Sequence, residues 1–355
     1  MSPVVRASTI MTKPAFATCL LYAVFLCLTT WQYKAGLDLT WYGALVLYQP
    51  RLFWCLPGLV LVLLLYREPL LAVLPVLCVV WVLVPYMGLH WQTSLRQAVP
   101  GTQKIRVLTW NIDYGGYDKL APLEIRDHLK LENPDVVLFQ DAGGILKGPL
   151  GRHFDTLGWQ ARSFGQYVVA SRYPVGDLEV RPIPFDNAMH TCVRTVVQVA
   201  GHPVVFYNVH LQTPRSRLAA LLKTRNPRRL PLAMRGMERD MRGRFGQALL
   251  LKDYLGKEPG NAVLVGDLNV PDASSSADML REAGVHDAFS ESGCGYGFTF
   301  GHSLVEKWLG PYSFSWLRLD HIFLGPQVRA LSCWVGASLA SDHRPVVADL
   351  SFVWP

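Results

Sequence analysis

The chain has 355 residues, half of them hydrophobic and only 17% charged, with a formal net charge of +7. Such length and apolar content exclude a disordered chain and a single small soluble domain, and the positive balance favours an anionic partner, nucleic acid or a phospholipid surface. The seven cysteines are odd in number and form no Cys-x-x-Cys pair, so neither a zinc site nor a disulfide framework is indicated.

The apolar excess lies before residue 91. Residues 14–33 form an uncharged run of about 20 residues, enough to cross a bilayer core. No small-x-small cleavage site follows it, so it reads as an uncleaved anchor. A second run covers 45–66, with Arg51 snorkelling so that the helix begins near Gly43. A third covers 69–90. Only Arg67-Glu68 separates the last two, which predicts a tight helical hairpin. Trp31, Trp54, Trp81 and Trp91 stand at run ends, as interfacial aromatics do. The expectation is a multi-pass integral membrane region of about three helices over 1–91 and a linker over 92–103 with Pro100-Gly101. Arg6, Lys13 and Arg67 favour a cytoplasmic N-terminus, which puts residues 104–355 on the periplasmic or extracellular side.

Beyond the linker, apolar runs alternate with amphipathic ones. Strands are predicted over 104–111, 135–140 and 167–171. A hairpin joins 191–199 to 203–210 through Gly201-His202. Further strands are expected over 262–265, 320–324 and 346–350. Helical spacing marks 117–132, stopped by Asn133-Pro134, and 244–255. Connections by both hairpins and helices imply an α/β domain with mixed sheets.

Polar residues recur at the ends of these strands. Asp267 and Asn269 follow a buried run; they read as turn formers or as a carboxylate aimed at a water with an amide beside it. His343, after Asp342, is one candidate acid or base, and Asp320 can fix its tautomer. His210 ends its own strand and is a second. Asn111 and Asp141 are hard oxygen ligands that suit Mg²⁺.

In order, Val-Leu-Thr-Trp-Asn111, Asp135-Val-Val-Leu-Phe-Gln140-Asp141, Ser171-Arg172-Tyr173-Pro174, Asn208-Val-His210-Leu, Val-Gly266-Asp267-Leu-Asn269, Leu319-Asp320-His-Ile-Phe and Ser341-Asp342-His343 resemble the endonuclease/exonuclease/phosphatase superfamily over about 104–353. The resemblance implies a four-layered α/β/β/α sandwich with two mixed sheets and cleavage of phosphoester bonds with Mg²⁺ or Mn²⁺. It implies that Asn111 and Asp141 sit at the metal with Asp342 close by, and that Asp267 and Asn269 handle the water and the phosphate. It further implies that Asp320 orients His343 and that His210 assists the leaving group or the phosphate. One departure is Asp141, where the family usually has Glu; its carboxylate is one methylene shorter.

The expected activity is therefore hydrolysis of a membrane-proximal phosphodiester, such as a lipid headgroup, by in-line attack of an activated water. A Mg-dependent endo- or exonuclease is the second reading, and a tethered binding or scaffolding module the third. Residues 213–244 hold ten Lys or Arg against only Glu238 and Asp240. They read as a lid for a polyanion, as an arm on anionic lipid with Leu218, Leu221, Leu222 and Leu230 dipping in, or as a solvated loop. Stacking aromatics are missing there. Arg194, Arg215 and Arg217 are the candidate substrate contacts, and no protein partner is inferred.

Overall fold

The computed structural model describes residues 3–92, 103–115, 121–186, 188–337 and 340–353. The expected linker lies, but for its ends, outside the described residues. The chain divides into two compact units, Met1–Leu89 and His90–Pro355.

The first unit holds helices α1 (Pro3–Lys34), α2 (Trp41–Tyr48), α3 (Cys55–Leu65) and α4 (Pro69–Trp81). Two stretches, Lys13–Lys34 and Pro69–Tyr86, are long and apolar enough to cross a membrane. The expected middle span is not one helix. Trp41–Tyr48 and Arg51–Leu65 meet at 92°, because Pro50 has no amide hydrogen to continue the ladder and forces Gln49 into extended backbone. Arg51 makes its contacts within this unit. Its Nη1 donates to the Tyr86 carbonyl at 2.8 Å, and its guanidinium lies 5.2 Å over the Tyr33 ring. The turn at Arg67-Glu68 does form, with Glu68 N–H donating to Leu65 O at 2.8 Å. Helices α3 and α4 approach so closely that a Cβ on Gly58 would lie 2.6 Å from Val79 Cγ2.

The second unit carries strands β1 (His90–Trp91), β2 (Gln103–Asn111), β3 (Val136–Gln140), β4 (Gln160–Phe164), β5 (Tyr167–Ser171), β6 (Glu179–Pro182), β7 (Thr191–Val199), β8 (His202–His210), β9 (Val263–Asp267), β10 (His286–Asp287), β11 (Cys294–Gly295), β12 (Asp320–Leu324), β13 (Val328–Val335) and β14 (Val346–Phe352). Its helices are α5 (Ala121–Glu132), α6 (Pro149–Thr156), α7 (Arg215–Lys223), α8 (Leu230–Leu255), α9 (Ser275–Arg281), α10 (Ala288–Ser292) and α11 (His302–Leu309). Twelve of the strands form two six-stranded sheets, ordered β13-β14-β2-β3-β5-β4 and β10-β12-β9-β8-β7-β6. In each, one central pair is parallel, β2 with β3 and β8 with β9, and the other neighbours are antiparallel.

The facing sheets bury one apolar layer, including Val107, Leu138, Phe206, Val265, Ile322 and Leu350. Helices α8 and α9 cover the outer face of one sheet through Ala248, Leu251 and Leu280, and α5 and α6 cover the other through Ile125, Leu129 and Phe154. This is a four-layered α/β/β/α sandwich. The expected hairpin between β7 and β8 turns through Ala200 and Gly201, both at positive φ (50° and 87°), as a tight two-residue connection requires. Residues 213–244 are no solvated loop but two helices, α7 and most of α8. Leu221 is only 6% exposed and therefore cannot dip into a lipid phase.

The side-chain period of two decides what reaches the sheet ends. Stepping outward from the apolar layer, the inner face continues from Val107 to Thr109 and Asn111, from Leu138 to Gln140, and from Phe206 to Asn208 and His210. It likewise continues from Val265 to Asp267 and from Ile322 back to Asp320. The parallel pairs and the antiparallel register Asp320↔Asp267 bring these tips to one end of the sandwich.

Candidate active site

Asp267 is at the centre of this end. It is 1% exposed. Asn111 Nδ2 donates to its Oδ2 at 3.0 Å across the gap between the sheets, and the Asn269 peptide N–H donates to its Oδ1 at 2.9 Å. Two imidazoles flank the same oxygen: His210 Nε2 at 3.4 Å and His343 Nε2 at 3.5 Å. Gly266 makes the approach possible. Its φ is +138°, and a Cβ there would lie 1.9 Å from Val209 O, so only glycine lets β9 pass β8 at this point.

His343 Nδ1 faces Asp320 Oδ2 at 2.7 Å. Trp110 Nε1 donates to the His343 carbonyl at 2.9 Å, and the Phe300 ring lies 4.8 Å from the imidazole. Burial favours the neutral ring, but the Asp320 and Asp267 carboxylates outweigh it and push His343 up to about 10. His210 Nδ1 faces Gln166 Oε1 at 2.8 Å and Asp141 Oδ1 at 3.4 Å. Burial again opposes its proton, and Asp141 and Asp267 raise the pKa. Asp267 is itself raised, by burial first, with the His343 charge opposing.

Asp141 follows β3 in the left-handed region, at φ 45°, which turns its side chain back to Asn111 Nδ2 at 3.3 Å. Asn269 also has positive φ, 51°. Its Nδ2 donates to Leu211 O at 3.0 Å and Asp267 Oδ2 at 3.2 Å. Asp342 meets Arg215 Nη2 at 2.5 Å, and the Arg215 guanidinium lies 5.1 Å over the Phe300 ring.

Of the three arginines expected at the substrate, only Arg215 reaches this cluster. Arg194 sits on the outer face of β7, where its Nε and Nη2 hold Glu258 at 2.7 and 3.0 Å and its Nη1 holds Glu179 at 2.8 Å. The period of two carries it away from the inner face. Arg217 pairs with buried Asp240 at 3.5 Å and ties α7 to α8.

Several participants have no motif. Gln166 orients His210. Asp113 and Tyr114 follow Asn111; burial and the Asp342 and Asp141 charges raise the Asp113 pKa, and the Asp141 charge raises that of Tyr114. Buried Arg244 of α8 donates to Gln212 O at 3.2 Å, which fixes the chain just beyond His210. Asp113, so near Asn111, is the one that its position in the sequence points to. Asn208, two residues before His210, is fully buried between the sheets. Its Nδ2 donates to the Phe139 and Val168 carbonyls, and its Oδ1 accepts from Gln140 Nε2 at 2.7 Å, joining the sheets.

The donor set suits a hard divalent cation. Five aspartates (113, 141, 267, 320 and 342) crowd one arginine and two imidazoles, burial and then like charges raise the pKa of Asp113, and Asp320 Oδ1 is buried with no hydrogen-bond partner among the described residues. Carboxylate and amide oxygens of this kind are Mg²⁺ ligands. Asp267, Asp320 and His343 have ligand atoms within 4.8 Å of one another. A second such group, Asp272, Asp287 and His321, is already neutralised. Arg318 donates to both Asp287 oxygens at 2.7 and 2.9 Å and pairs with Asp272, as does Arg281.

The sequence matches the endonuclease/exonuclease/phosphatase family over residues 108–343. The chain belongs to this family. Members of the endonuclease/exonuclease/phosphatase family are phosphoesterase and nuclease hydrolases, generally dependent on divalent metal, and this chain is a hydrolase of that class. An endonuclease/exonuclease/phosphatase of Bacteroides vulgatus is similar in structure, with 19% identity and a TM-score of 0.51, covering 71% of this chain and 100% of that one. A 3'-5' exonuclease of Neisseria meningitidis is similar at 19% identity and a TM-score of 0.50, covering 70% of this chain and 100% of that one. These likenesses bear on the fold alone. No curated protein matches the chain.

Proposed function

We propose that this hydrolase is a membrane-anchored, Mg²⁺-dependent phosphodiesterase acting on a membrane-proximal substrate, with its catalytic domain, residues 104–355, on the periplasmic or extracellular side. The observation that carries the reading is the convergence of Asn111, Asp141, His210, Asp267, Asn269, Asp320 and His343 at one end of the sandwich. The apolar helices of residues 1–91 support the anchoring.

Asn111 and Asp141 would hold the metal, with Asp342 beside it. When bound, the cation supplies charge neutralisation at the phosphate and at the departing oxygen. Asp267, raised by burial, is a better proton acceptor than an ordinary carboxylate and takes the proton of the attacking water. The water attacks phosphorus in line with the leaving oxygen. Asn269 helps hold the water and the phosphate. His343, kept protonated by Asp320, puts positive charge where the phosphate gains negative charge. His210, with acceptors at both ring nitrogens, donates a proton on the leaving-group side.

The test is hydrolysis of a phospholipid diester and of DNA by the full chain, with Mg²⁺ and with chelator. Asp267→Ala and His343→Ala should each lower turnover about 10³-fold with folding retained. Full activity in both variants would overturn the assignment. A nuclease is the second reading, favoured by the basic residues 213–244; it requires DNA or RNA to be the better substrate.

A further inference from the structure

We propose that the exposed face of α8, with the α7–α8 connection, docks on the surface of an anionic phospholipid bilayer. The proposal rests on the membrane-anchored reading above and adds to it the surface by which the catalytic unit meets lipid.

The face is defined by helical periodicity. Met237, Asp240, Met241, Arg244, Gln247, Ala248, Leu251 and Leu255 are the buried residues of α8. At about 100° per residue they make one stripe. Leu232, Arg235, Arg239 and Arg242 are all exposed, and the same step puts them on the opposite side of the helix axis, as a second continuous stripe; exposed Arg228 stands just before the helix begins. Lys223, Arg225 and Arg229 extend the basic surface into the connection. Among the described residues, Arg228, Arg229, Arg235 and Arg242 have no carboxylate partner, and Arg239 has only a 3.9 Å contact with Asp186. Of the acids of α8, Asp240 is buried, Glu238 is half-buried, and exposed Asp253 lies about three turns beyond Arg242, near the far end of the helix.

Leu222 and Leu232 stand in this basic field at 68% and 74% exposure. Large apolar side chains set among arginines are the composition of a surface that enters the headgroup layer. A groove for single-stranded nucleic acid would instead interleave stacking aromatics, and residues 213–244 contain no Phe, Tyr or Trp. The chain itself carries two helices apolar enough to cross a bilayer, so lipid phosphate is the polyanion always at hand.

The stripe also leads to the chemistry. Arg239 shares a cleft of about 570 Å³ with Phe185, Asp186, Ala188, His190 and Gln212. Gln212 lies two residues beyond His210, and Arg215 begins α7 with its guanidinium on Asp342. A lipid surface on this face would deliver phosphodiester headgroups along the rim of the cleft.

The experiment puts the full chain into nanodiscs of phosphatidylcholine alone or with about 30% phosphatidylglycerol. Trypsin cleavage after Arg225, Arg228 and Arg229 is then read by mass spectrometry. Cleavage should be about five-fold or more slower on the anionic discs, with the difference gone at about 0.5 M salt. Leu222→Ser with Leu232→Ser, and separately Arg235→Gln with Arg239→Gln and Arg242→Gln, should abolish the protection; none of these changes removes a cleavage site that is read. Equal rates on the two discs would overturn the proposal. So would full protection in the arginine variant, or protection by added duplex DNA but not by anionic lipid. Co-elution of chain and disc is read first. Without it the anchoring and this proposal both fall; with it, equal rates remove only the docking face. Turnover is not part of the readout.

Discussion

His343 Nδ1 lies 2.7 Å from Asp320 Oδ2, and both groups are almost fully buried. Asp320 opens β12 in one sheet, whereas His343 leads into β14 of the other. The pair therefore closes the open end of the sandwich and holds a charged imidazole against Asp267 at the same time.

Asp320→Asn removes the largest of the carboxylate charges that raise His343. In the metal-free protein the imidazole pKa should drop from about 10 toward the ordinary histidine value of about 6.5, as read by NMR titration of the ring. The sign follows from linkage. A raised pKa gives stability that is complete below the unfolded value and is lost as pH rises through the folded value. In wild type that loss runs into the alkaline range, and in the variant it ends near neutrality. Turnover at pH 7 should fall about 10²- to 10⁴-fold.

Asp141 tests where the cation sits. If Asn111 and Asp141 hold it, Asp141→Ala should weaken Mg²⁺ binding about ten-fold or more, while Asp141→Glu retains it. Titration calorimetry on both variants decides. Unchanged affinity in Asp141→Ala would move the ion to the group formed by Asp267, Asp320 and His343.

Arg318 is 5% exposed and balances both Asp287 and Asp272. Arg318→Met should destabilise the protein by about 3–5 kcal/mol, since it takes the guanidinium away from buried Asp287. Burial raises the Asp287 pKa, but Arg318 and His321 more than reverse this and hold it well below the usual range. Its stability is thus present above the unfolded value and lost only in acid, as pH falls through the folded value. In the variant Asp272 keeps Arg281, but buried Asp287 keeps only His321 and the Ser290 amide, so its depressed pKa rises and part of the stability it contributes above the unfolded value is lost. Thermal unfolding across pH reads both effects.

Arg215 and Arg194 should separate cleanly. Arg215→Gln removes the cation at Asp342 and should raise KM for a phosphodiester about ten-fold, with little change in melting temperature, because the Arg215 side chain is 56% exposed and solvent screens its charge. Arg194→Gln leaves Glu258 with the Tyr207 hydroxyl, which donates to its Oε1 at 2.7 Å, but without its cation, and should cost about 2–3 kcal/mol of stability with KM unchanged. Parallel kinetics and melts distinguish the two.

Much of the fold and site was legible in the sequence, for a local reason. Strand periodicity and turn residues are written in neighbouring positions, so β2, β3, β5, the β7–β8 hairpin, β9, β12 and β14 could be placed. The polar tips Asn111, Asp141, His210, Asp267, Asp320 and His343 stood out because each interrupts an apolar run. Edge strands β4 and β6 were missed because their residues are mostly exposed and carry no apolar alternation. The middle apolar run looks continuous in the sequence because hydropathy does not register the bend at Pro50.

The sequence alone determined which residue types stand at strand ends and in what order, since that depends on backbone period and burial along the chain. Only the tertiary structure decided which of them meet. Register and sheet pairing assigned Arg194 to Glu258, Arg215 to Asp342, Gln166 to His210 and Asp320 to His343. Those partners lie between 23 and 127 residues apart, and side chains so distant in sequence are joined by packing, which no local pattern encodes.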